Sequence, residues 1–413
     1  MRISTRMIYD QGSTQLNNLQ SALNRTQMQL STNRKNLTPA DDPIASARAL
    51  EVTQSQSLNT QFATNRSNAV NFLSQEELAL GSTHNLIADV QELVVKAGNP
   101  GLRDEERATI AKELEGRMTD LLGIANTADG SGGYLFGGYK STTQPFSQTP
   151  TGAAYAGDQG QRELQVGSAR YLAVSDSGAA VFENNMTGNG TFTVTPDSGN
   201  YGRGGAGIVT SSTVTDATAL TGHKYEISFA VTGTGDAAVT TYTVNDLTLG
   251  QTVPNPATPL PFTAGQAINF DGQQIVFNGK PSDQDKFGVA PSGKESLFTT
   301  MTNLIGALRT SGNGDAGQAR LANNLSAASS ILSTAYDNVL SVRAEVGART
   351  KELDYLASSG DDLDLQYSAT LSDLQDLDMV KTVSLFTQQQ ITLQAAQKSF
   401  TQVSGLSLFN YIN

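Results

Sequence analysis

The chain has 413 residues, enough for several domains, and it contains no Cys, no Trp and only two His. The lack of thiols excludes disulfides and thiolate catalysis, and the net charge of −12 argues against a nucleic-acid partner, which requires a basic surface. The opening residues are polar, and no apolar run approaches the ~18 residues of a membrane helix. We therefore expect the chain to stay in the cytosol or to leave by a route that needs no cleaved signal peptide.

Residues 1–40 are predicted to form an amphipathic terminal helix that ends at Thr38-Pro39-Ala40. Apolar residues recur in it with a period of seven, at Tyr9, Leu16, Leu23, Leu30 and Leu37. The companion row is thin, because Leu19 is its only strongly apolar member. Such a helix is not stable alone, so we expect it to become ordered when it packs against other chains.

Asp41-Asp42-Pro43 predicts the start of the next helix. Asp42 suits the N-cap, and Pro43 suits the first turn, where its missing N–H costs nothing. We prefer this cap interpretation of the two acids to an acid–base pair. Helices should continue to about Ala97, with one apolar stripe at Leu73, Leu80, Ile87 and Val94.

Glycine and proline become frequent after Asp129, and residues 130–290 are predicted to form an antiparallel β domain. Short alternating or β-branched runs lie between the turn residues. These runs are Thr191–Val194, Tyr225–Val231, Thr241–Val244 and Gln274–Phe277. The proline-rich stretch from Val253 to Pro261 is expected to be an extended loop.

The carboxyl-terminal part is predicted to return to helix, from about Gly314–Gln318 to Ser358-Ser359-Gly360. Two apolar rows with a period of seven indicate a coiled-coil seam against residues 69–97. One row is Leu325, Leu332, Val339, Val346 and Leu353; the other is Leu321, Ala328, Ala335, Val342, Arg349 and Leu356, with a single polar interruption. A last helix carries Met379, Phe386, Leu393 and Phe400, and the acids after Gly360 would lie in its first turn.

The two ends carry opposite charge. Residues 1–40 contain five basic side chains against Asp10 alone, whereas residues 361–413 contain six Asp against two Lys. This distribution favours side-by-side packing of the ends.

The predicted fold class is α+β and multidomain: the terminal segments pair into a long, coiled-coil-like helical rod, and an antiparallel β domain is inserted between them. The predicted domains are the terminal arms (1–40 and 361–413), the helical rod (41–140 and 291–360) and an outer β-rich domain (141–290).

A search for chemistry finds no catalytic constellation, and we expect no enzymatic activity, cofactor or metal. Gly202–Gly207 fits G-x-G-x-x-G, but no strand precedes it and no helix follows it in the predicted elements, so it is a glycine-rich loop. His84 and His223 are interpreted as ordinary structural residues. The acidic run from Asp362 lacks the Gly and Glu that an EF-hand requires.

Several short motifs resemble the flagellin superfamily, and within it most closely the hook–filament junction proteins. The motifs occur in family order at both ends of the chain and at both junctions of the β domain. They are Met1–Thr5, Leu30–Thr32, Pro39–Ala45, Tyr134–Gly138 with Pro145-Phe146, Gly279–Pro281 with Asp285–Phe287, and Leu406–Tyr411.

This resemblance implies a structural subunit of the bacterial flagellum that joins the hook, through hook-associated protein 1, to the flagellin filament. It implies a secreted, extracellular homo-oligomer in a ring or helical layer, exported by the flagellar type III apparatus with a chaperone on the C-terminal segment and without membrane insertion. The terminal arms would pair in an inner tube. The expected interface residues are Leu16, Leu23, Leu30, Leu37, Met379, Phe386, Leu393 and Phe400.

Two alternatives remain. The chain could be a flagellin filament subunit, although Asp41–Ala45 and Phe409-Asn410-Tyr411 suit the junction protein better. Alternatively, residues 141–290 could be an adhesin-like module that binds a glycan. Tyr201, Tyr225, Phe229 and Tyr242 could line such a site, but sheet core or ordinary surface explains them more simply.

Overall fold

The computed structural model describes residues 5–233, 235–253, 259–310, 312 and 314–409. Parts of the opening and closing motifs, residues 1–4 and 410–411, lie outside these ranges, as does much of the proline-rich stretch. The helices are α1 (Thr5–Thr32), α2 (Pro43–Ala97), α3 (Asp104–Ala125), the single-turn α4 (Gly199–Gly202), α5 (Leu297–Arg309), α6 (Gly314–Gln375) and α7 (Met379–Phe409). Two short helical turns lie at Ala179–Glu183 and Gly235–Ala237.

Fifteen strands in the described part of the chain lie between α3 and α5, and all their pairings are antiparallel. They are β1 (Phe146–Thr149), β2 (Gly152–Tyr155), β3 (Glu163–Gly167), β4 (Arg170–Ala173), β5 (Asn185–Met186), β6 (Phe192–Pro196), β7 (Ala206–Val214), β8 (Tyr225–Thr232), β9 (Val239–Asp246), β10 (Gln251–Val253), β11 (Leu260–Pro261), β12 (Ala267–Phe270), β13 (Gln273–Lys280), β14 (Lys286–Pro291) and β15 (Lys294–Glu295). The order in the largest sheet is β10-β9-β8-β14-β6, with β11 also paired to β9, and a second sheet has the order β12-β13-β7. Long terminal helices around an antiparallel β insertion confirm the predicted fold class.

The chain divides into two compact units, Met1–Asn65 with Asp354–Asn413, and Arg66–Leu353. We call them the terminal unit and the central unit. The three domains proposed from sequence have other boundaries, and those boundaries stay a prediction.

A seam between α2 and α6 forms the helical core of the central unit. The two helices run antiparallel, because Glu77 contacts Arg343 at 2.6 Å and the rings of His84 and Tyr336 have centroids 4.2 Å apart. Counting in opposite directions from these contacts brings the predicted rows together: Leu73 opposite Val346, Leu80 opposite Val339, Ile87 opposite Leu332, and Val94 opposite Leu325. All of these side chains are buried, which confirms the predicted stripe. Each contributes about 1.5–3 kcal/mol of apolar burial.

Polar side chains of α6 hold the inserted segment by its main chain. Asn323 donates to the carbonyl of Gly207 at 2.9 Å and accepts the N–H of Val209 at 2.9 Å. Further along the helix, three more side chains donate to main-chain carbonyls: Thr334 to Met186, Asn338 to Ala180 and Val181, and Arg349 to Ala173. The polar interruption in the predicted seam is therefore one of these docking groups.

The two largest sheets share an apolar core, which explains the alternating runs in the sequence. Phe229 from β8 and Phe287 from β14 contact Phe277 from β13, whereas Tyr225 from β8 contacts Phe270 from β12, and all five side chains are buried. The centroids of Phe277 and Phe287 are 4.8 Å apart, in an edge-to-face arrangement. Edge-to-face contacts of this kind add to the burial energy of the rings.

Two predicted helix ends are wrong. The first helix ends at Thr32, because Asn33 adopts a φ of 52°, a left-handed conformation that ends helices. The long C-terminal helix does not stop at Ser358-Ser359-Gly360 but continues to Gln375. Weak helix formers cost only about 1 kcal/mol each, and here the carbonyl of buried Gly360 accepts the side-chain amide of Asn59 at 2.7 Å. The acids that follow Gly360 consequently lie inside α6 and not in the first turn of the last helix.

Candidate assembly surface

The terminal unit contains an antiparallel pair made by α1 and α7. The rings of Tyr9 and Phe400 have centroids 5.2 Å apart, and just beyond the other end of α1 the N–H of Lys35 donates to the carbonyl of Gln375 at 2.8 Å. Paired residues in an antiparallel arrangement have numbers with a constant sum. The sum for Tyr9 and Phe400 is nearly the same as that for Lys35 and Gln375, so the two segments keep one register between these contacts. Continuing this register places Leu16 opposite Leu393, and Leu23 opposite Phe386.

The predicted interface rows therefore face each other within one chain. Leu393 is buried, and Leu16, Leu23, Leu30, Phe386 and Phe400 are half-buried. Leu37 lies after the end of α1, in the loop before α2, and is half-buried there. Met379, the first residue of α7, is exposed. The rows close the helix pair, and whether they also contact other subunits stays a prediction.

A second set of apolar side chains on the same two helices is exposed. On α7, Val380 is 84% exposed and Ile391 is 62% exposed. At 100° per residue, both lie more than 90° around α7 from Phe386 and so point away from the row that faces α1. The other members of this set, which we call the outer apolar set, are Met7, Met28, Val383, Leu385 and Val403. Contiguous exposed apolar patches mark surfaces that bind a partner, so we take the outer apolar set as the candidate for such a surface.

The Asp41-Asp42-Pro43 motif shapes the connection between α1 and α2. Asp42 accepts the N–H of Ala45 at 3.0 Å, and α2 begins at Pro43, which confirms the predicted N-cap. Asp41 does not cap this helix. Its carboxylate accepts the N–H groups of Leu37 and Thr38 at 3.0 Å and pairs with Arg25 at 2.6 Å. These hydrogen bonds, foremost that of Thr38, lower the pKa of Asp41. The cap interpretation of Asp41 was wrong because this carboxylate closes the preceding loop.

The groups considered for chemistry have structural partners. His84 lies against Tyr336, and Nδ1 of His223 is 2.7 Å from the carboxylate of Asp246. The Gly202–Gly207 motif leads into strand β7 and not into a helix. No group of three or more His, Asp or Glu in the described ranges is placed to hold a metal ion. Within those same ranges, no helix is long and apolar enough to cross a membrane.

The aromatic residues proposed for a glycan site do not form a platform. Tyr225 and Phe229 are buried in the sheet core, Tyr242 is half-buried, and the Tyr201 hydroxyl is 3.3 Å from the side-chain amide of Asn323. Stacking against a sugar needs exposed ring faces. Tyr225 and Phe229 therefore belong to the core, as the simpler interpretation predicted.

Comparison with known proteins assigns the chain to a class and then to a family. Residues 3–141 match the bacterial flagellin N-terminal helical region, so this part of the chain is flagellin-related. It is 30% identical to the flagellar hook-associated protein 3 of Salmonella typhimurium over 410 residues, which cover 99% of both chains. The chain belongs to the family of flagellar hook-associated protein 3 and is a structural protein of the bacterial flagellum.

Solved structures of flagellar junction proteins agree with this assignment. The junction protein FlgL of Legionella pneumophila superposes with a TM-score of 0.71 at 30% identity, covering 80% of this chain and 100% of that one. FlgL of Xanthomonas campestris gives a TM-score of 0.70 at 26% identity, covering 78% of this chain and 99% of that one. The relatives named here are structural flagellar proteins and are not known as enzymes.

Proposed function

We propose that this chain joins the flagellar hook to the filament, and that the outer apolar set of the terminal unit is the surface by which its copies pack against one another. The observation that supports this most is that the helices of the α1/α7 pair carry more apolar side chains than the contact between them buries. One face of each helix is used within the chain, and further apolar side chains such as Val380 and Ile391 remain exposed. Burying them between subunits would contribute roughly 1 kcal/mol or more per side chain.

The partners follow from the family. Hook-associated protein 1 on one side and flagellin on the other are the neighbours of a junction layer, and a ring or helical layer of this chain would lie between them. Export through the flagellar type III apparatus, with a chaperone on residues 361–413, is part of the same proposal. The absence of Cys from the sequence is compatible with export of an unfolded chain, because no disulfide can form before secretion.

The test is complementation of a null mutant of the gene with two double variants and one single variant. Val380→Asp/Ile391→Asp changes the outer apolar set and leaves the intramolecular rows intact. Leu23→Asp/Phe386→Asp places two like charges opposite each other inside the helix pair. Leu247→Asp is the matched control, because it changes an exposed apolar residue of the turn after β9. Swimming, electron microscopy of hooks and filaments, and flagellin in the medium are the readouts.

Both double variants should be exported and should fail to support swimming, with bare hooks and flagellin released into the medium, whereas Leu247→Asp should swim. Release of flagellin by the uncomplemented null mutant separates a junction protein from a filament subunit, since deletion of a flagellin gene removes the flagellin that would be released. Normal filaments on cells that carry Val380→Asp/Ile391→Asp would contradict the proposed surface. Bare hooks that release no flagellin would contradict the junction role.

A further inference from the structure

A buried carboxyl group of the central unit has one oxygen without a partner. Glu76 lies in α2 and is 1% exposed. Its Oε1 accepts the backbone N–H of Asp176 at 2.8 Å. Its Oε2 is also buried, and no hydrogen-bond donor reaches it in the described part of the chain. A buried charged oxygen in this state is costly, so the group favours its protonated form.

The charged residues around Glu76 form ion pairs with one another, so an ionised Glu76 would add a negative charge that has no partner of its own. The Asp176 carboxylate accepts the side-chain amide of Gln161 at 2.7 Å and pairs with the guanidinium of Arg349 from α6. The other nearby charges are already paired, Arg162 with Asp129 at 3.0 Å and Glu77 with Arg343 at 2.6 Å. Two buried carboxyl groups thus share one guanidinium. Burial, and next the charge of Asp176, raise the pKa of Glu76 to about 8.

The segment that meets Glu76 is a buried polar stretch, Ser175-Asp176-Ser177. It follows β4 and is held at its ends by the N–H of Val174, which donates to Arg162, and by the N–H of Gly178, which donates to Phe136. Its middle is held by Glu76 on one side and by Arg349 on the other. We call residues 174–178 the latch segment.

We propose that Glu76 keeps its proton in the folded chain and acts as a pH-sensitive latch, which fastens the latch segment between α2 and α6 at acid pH and loosens it as the pH rises. An unfolded Glu releases its proton near pH 4.3. Between that pH and about 8 the folded cluster therefore binds one proton more than the open form. Opening of the latch segment should become about tenfold more favourable for each pH unit in this window and level off above it.

The test uses the full chain and two readouts. Carbon-13 labelling of the Glu side-chain carboxyls, with Glu76→Gln to assign the resonance, follows the titration of Glu76 directly. Amide hydrogen exchange of residues 172–178, corrected for the intrinsic effect of pH, follows opening between pH 5 and 9. Glu76→Gln keeps an acceptor for the Asp176 N–H and carries no titratable proton. Glu92→Gln is the control, since Glu92 is exposed on the same helix.

In the wild type and in Glu92→Gln, the opening constant should rise by a factor of a hundred or more between pH 5 and 8, and the Glu76 resonance should titrate in the upper part of this range. In Glu76→Gln the opening constant should not depend on pH. Asp176→Asn should move the Glu76 titration to lower pH, because it removes the neighbouring negative charge. A Glu76 resonance that titrates below pH 5, or equal pH dependence in the wild type and in Glu76→Gln, would overturn the proposal.

Discussion

Phe400 of α7 lies directly over Gly12 of α1. A Cβ atom at residue 12 would come within 2.7 Å of two carbons of the Phe400 ring. The ring also contacts Tyr9, one turn earlier on α1. Gly12 belongs to the thin companion row of the first helix, and its lack of a side chain lets the two helices approach at this point.

Gly12→Ala should therefore weaken the helix pair, although Ala is the better helix former. The gain of about 1 kcal/mol in helix propensity is opposed by a clash that costs about 1–3 kcal/mol unless the Phe400 ring moves. Gly81→Ala is the matched control, because a Cβ there meets no atom within 4 Å. Amide exchange should become faster around residue 12 in the first variant and slower around residue 81 in the second. Slower exchange at both sites would show that the Phe400 ring can move aside without a loss of stability.

Leu80→Ala should destabilise the central unit by about 2–5 kcal/mol, because it removes a fully buried side chain from the α2/α6 seam. Leu78→Ala, two positions away and 73% exposed, should change stability by less than about 0.5 kcal/mol. Urea unfolding of both variants and the wild type measures the difference. Similar urea midpoints for the two variants would mean that the seam carries little of the stability.

Asp129 should make the central unit sensitive to acid. Burial alone would raise the pKa of this carboxyl, but the backbone N–H and hydroxyl of Ser131, the N–H of Gly133 and the Arg162 guanidinium together lower it to about 2. Since the pKa is lower in the folded chain than in the unfolded chain, this stabilisation is present above pH 4. It is lost as the pH falls from about 4 to 2, and it amounts to roughly 2 kcal/mol.

Asp129→Asn should accordingly unfold more easily than the wild type at pH 7 and as easily as the wild type near pH 2. Asp337→Asn, at an exposed site of α6, is the control and should follow the wild type at every pH. Unfolding midpoints measured from pH 2 to 7 provide the comparison. A constant difference between Asp129→Asn and the wild type over this range would rule out the proposed linkage.

Asn323→Ala should release the edge of β7, because it removes one donor and one acceptor that bond to Gly207 and Val209. The loss of two buried hydrogen bonds costs about 1–3 kcal/mol. Asn324→Ala, at the neighbouring exposed position, should have little effect. Hydrogen exchange of the Val209 amide reports on the contact. Unchanged protection in Asn323→Ala would mean that the sheet holds this edge without the helix.

The parts of the fold that the sequence predicted are those in which burial alone sets the pattern. The period of seven in residues 321–353 matched the seam because its apolar positions face α2 and are buried against it. The strands of the β core were predicted because alternation reports burial on one face, as in β8. Both signals depend on local spacing and need no knowledge of distant contacts.

The errors arose where distant partners decide the local structure. The amide of Asn59 donates a further hydrogen bond to the carbonyl of Gly360, within a stretch whose sequence is typical of a helix end. Arg25, sixteen positions away, engages Asp41, which the local pattern assigned to a cap. The outer apolar set was not separated from the intramolecular rows, because period seven identifies one stripe of a helix and not the residues on either side of it.

The main-chain contacts made by α6 have a consequence for divergence of the inserted segment. A carbonyl group is the same in every amino acid, so Asn323, Thr334 and Asn338 impose no side-chain requirement at the residues they hold. Substitutions at Met186, Ala180 or Val181 would leave these hydrogen bonds available as long as the backbone keeps its course, whereas a Cβ at Gly207 would come within 3.0 Å of the Phe287 ring. The β insertion can thus change at the residues whose carbonyls the helix holds, whereas side-chain contacts with α6, such as that of Asp176 with Arg349, limit change elsewhere.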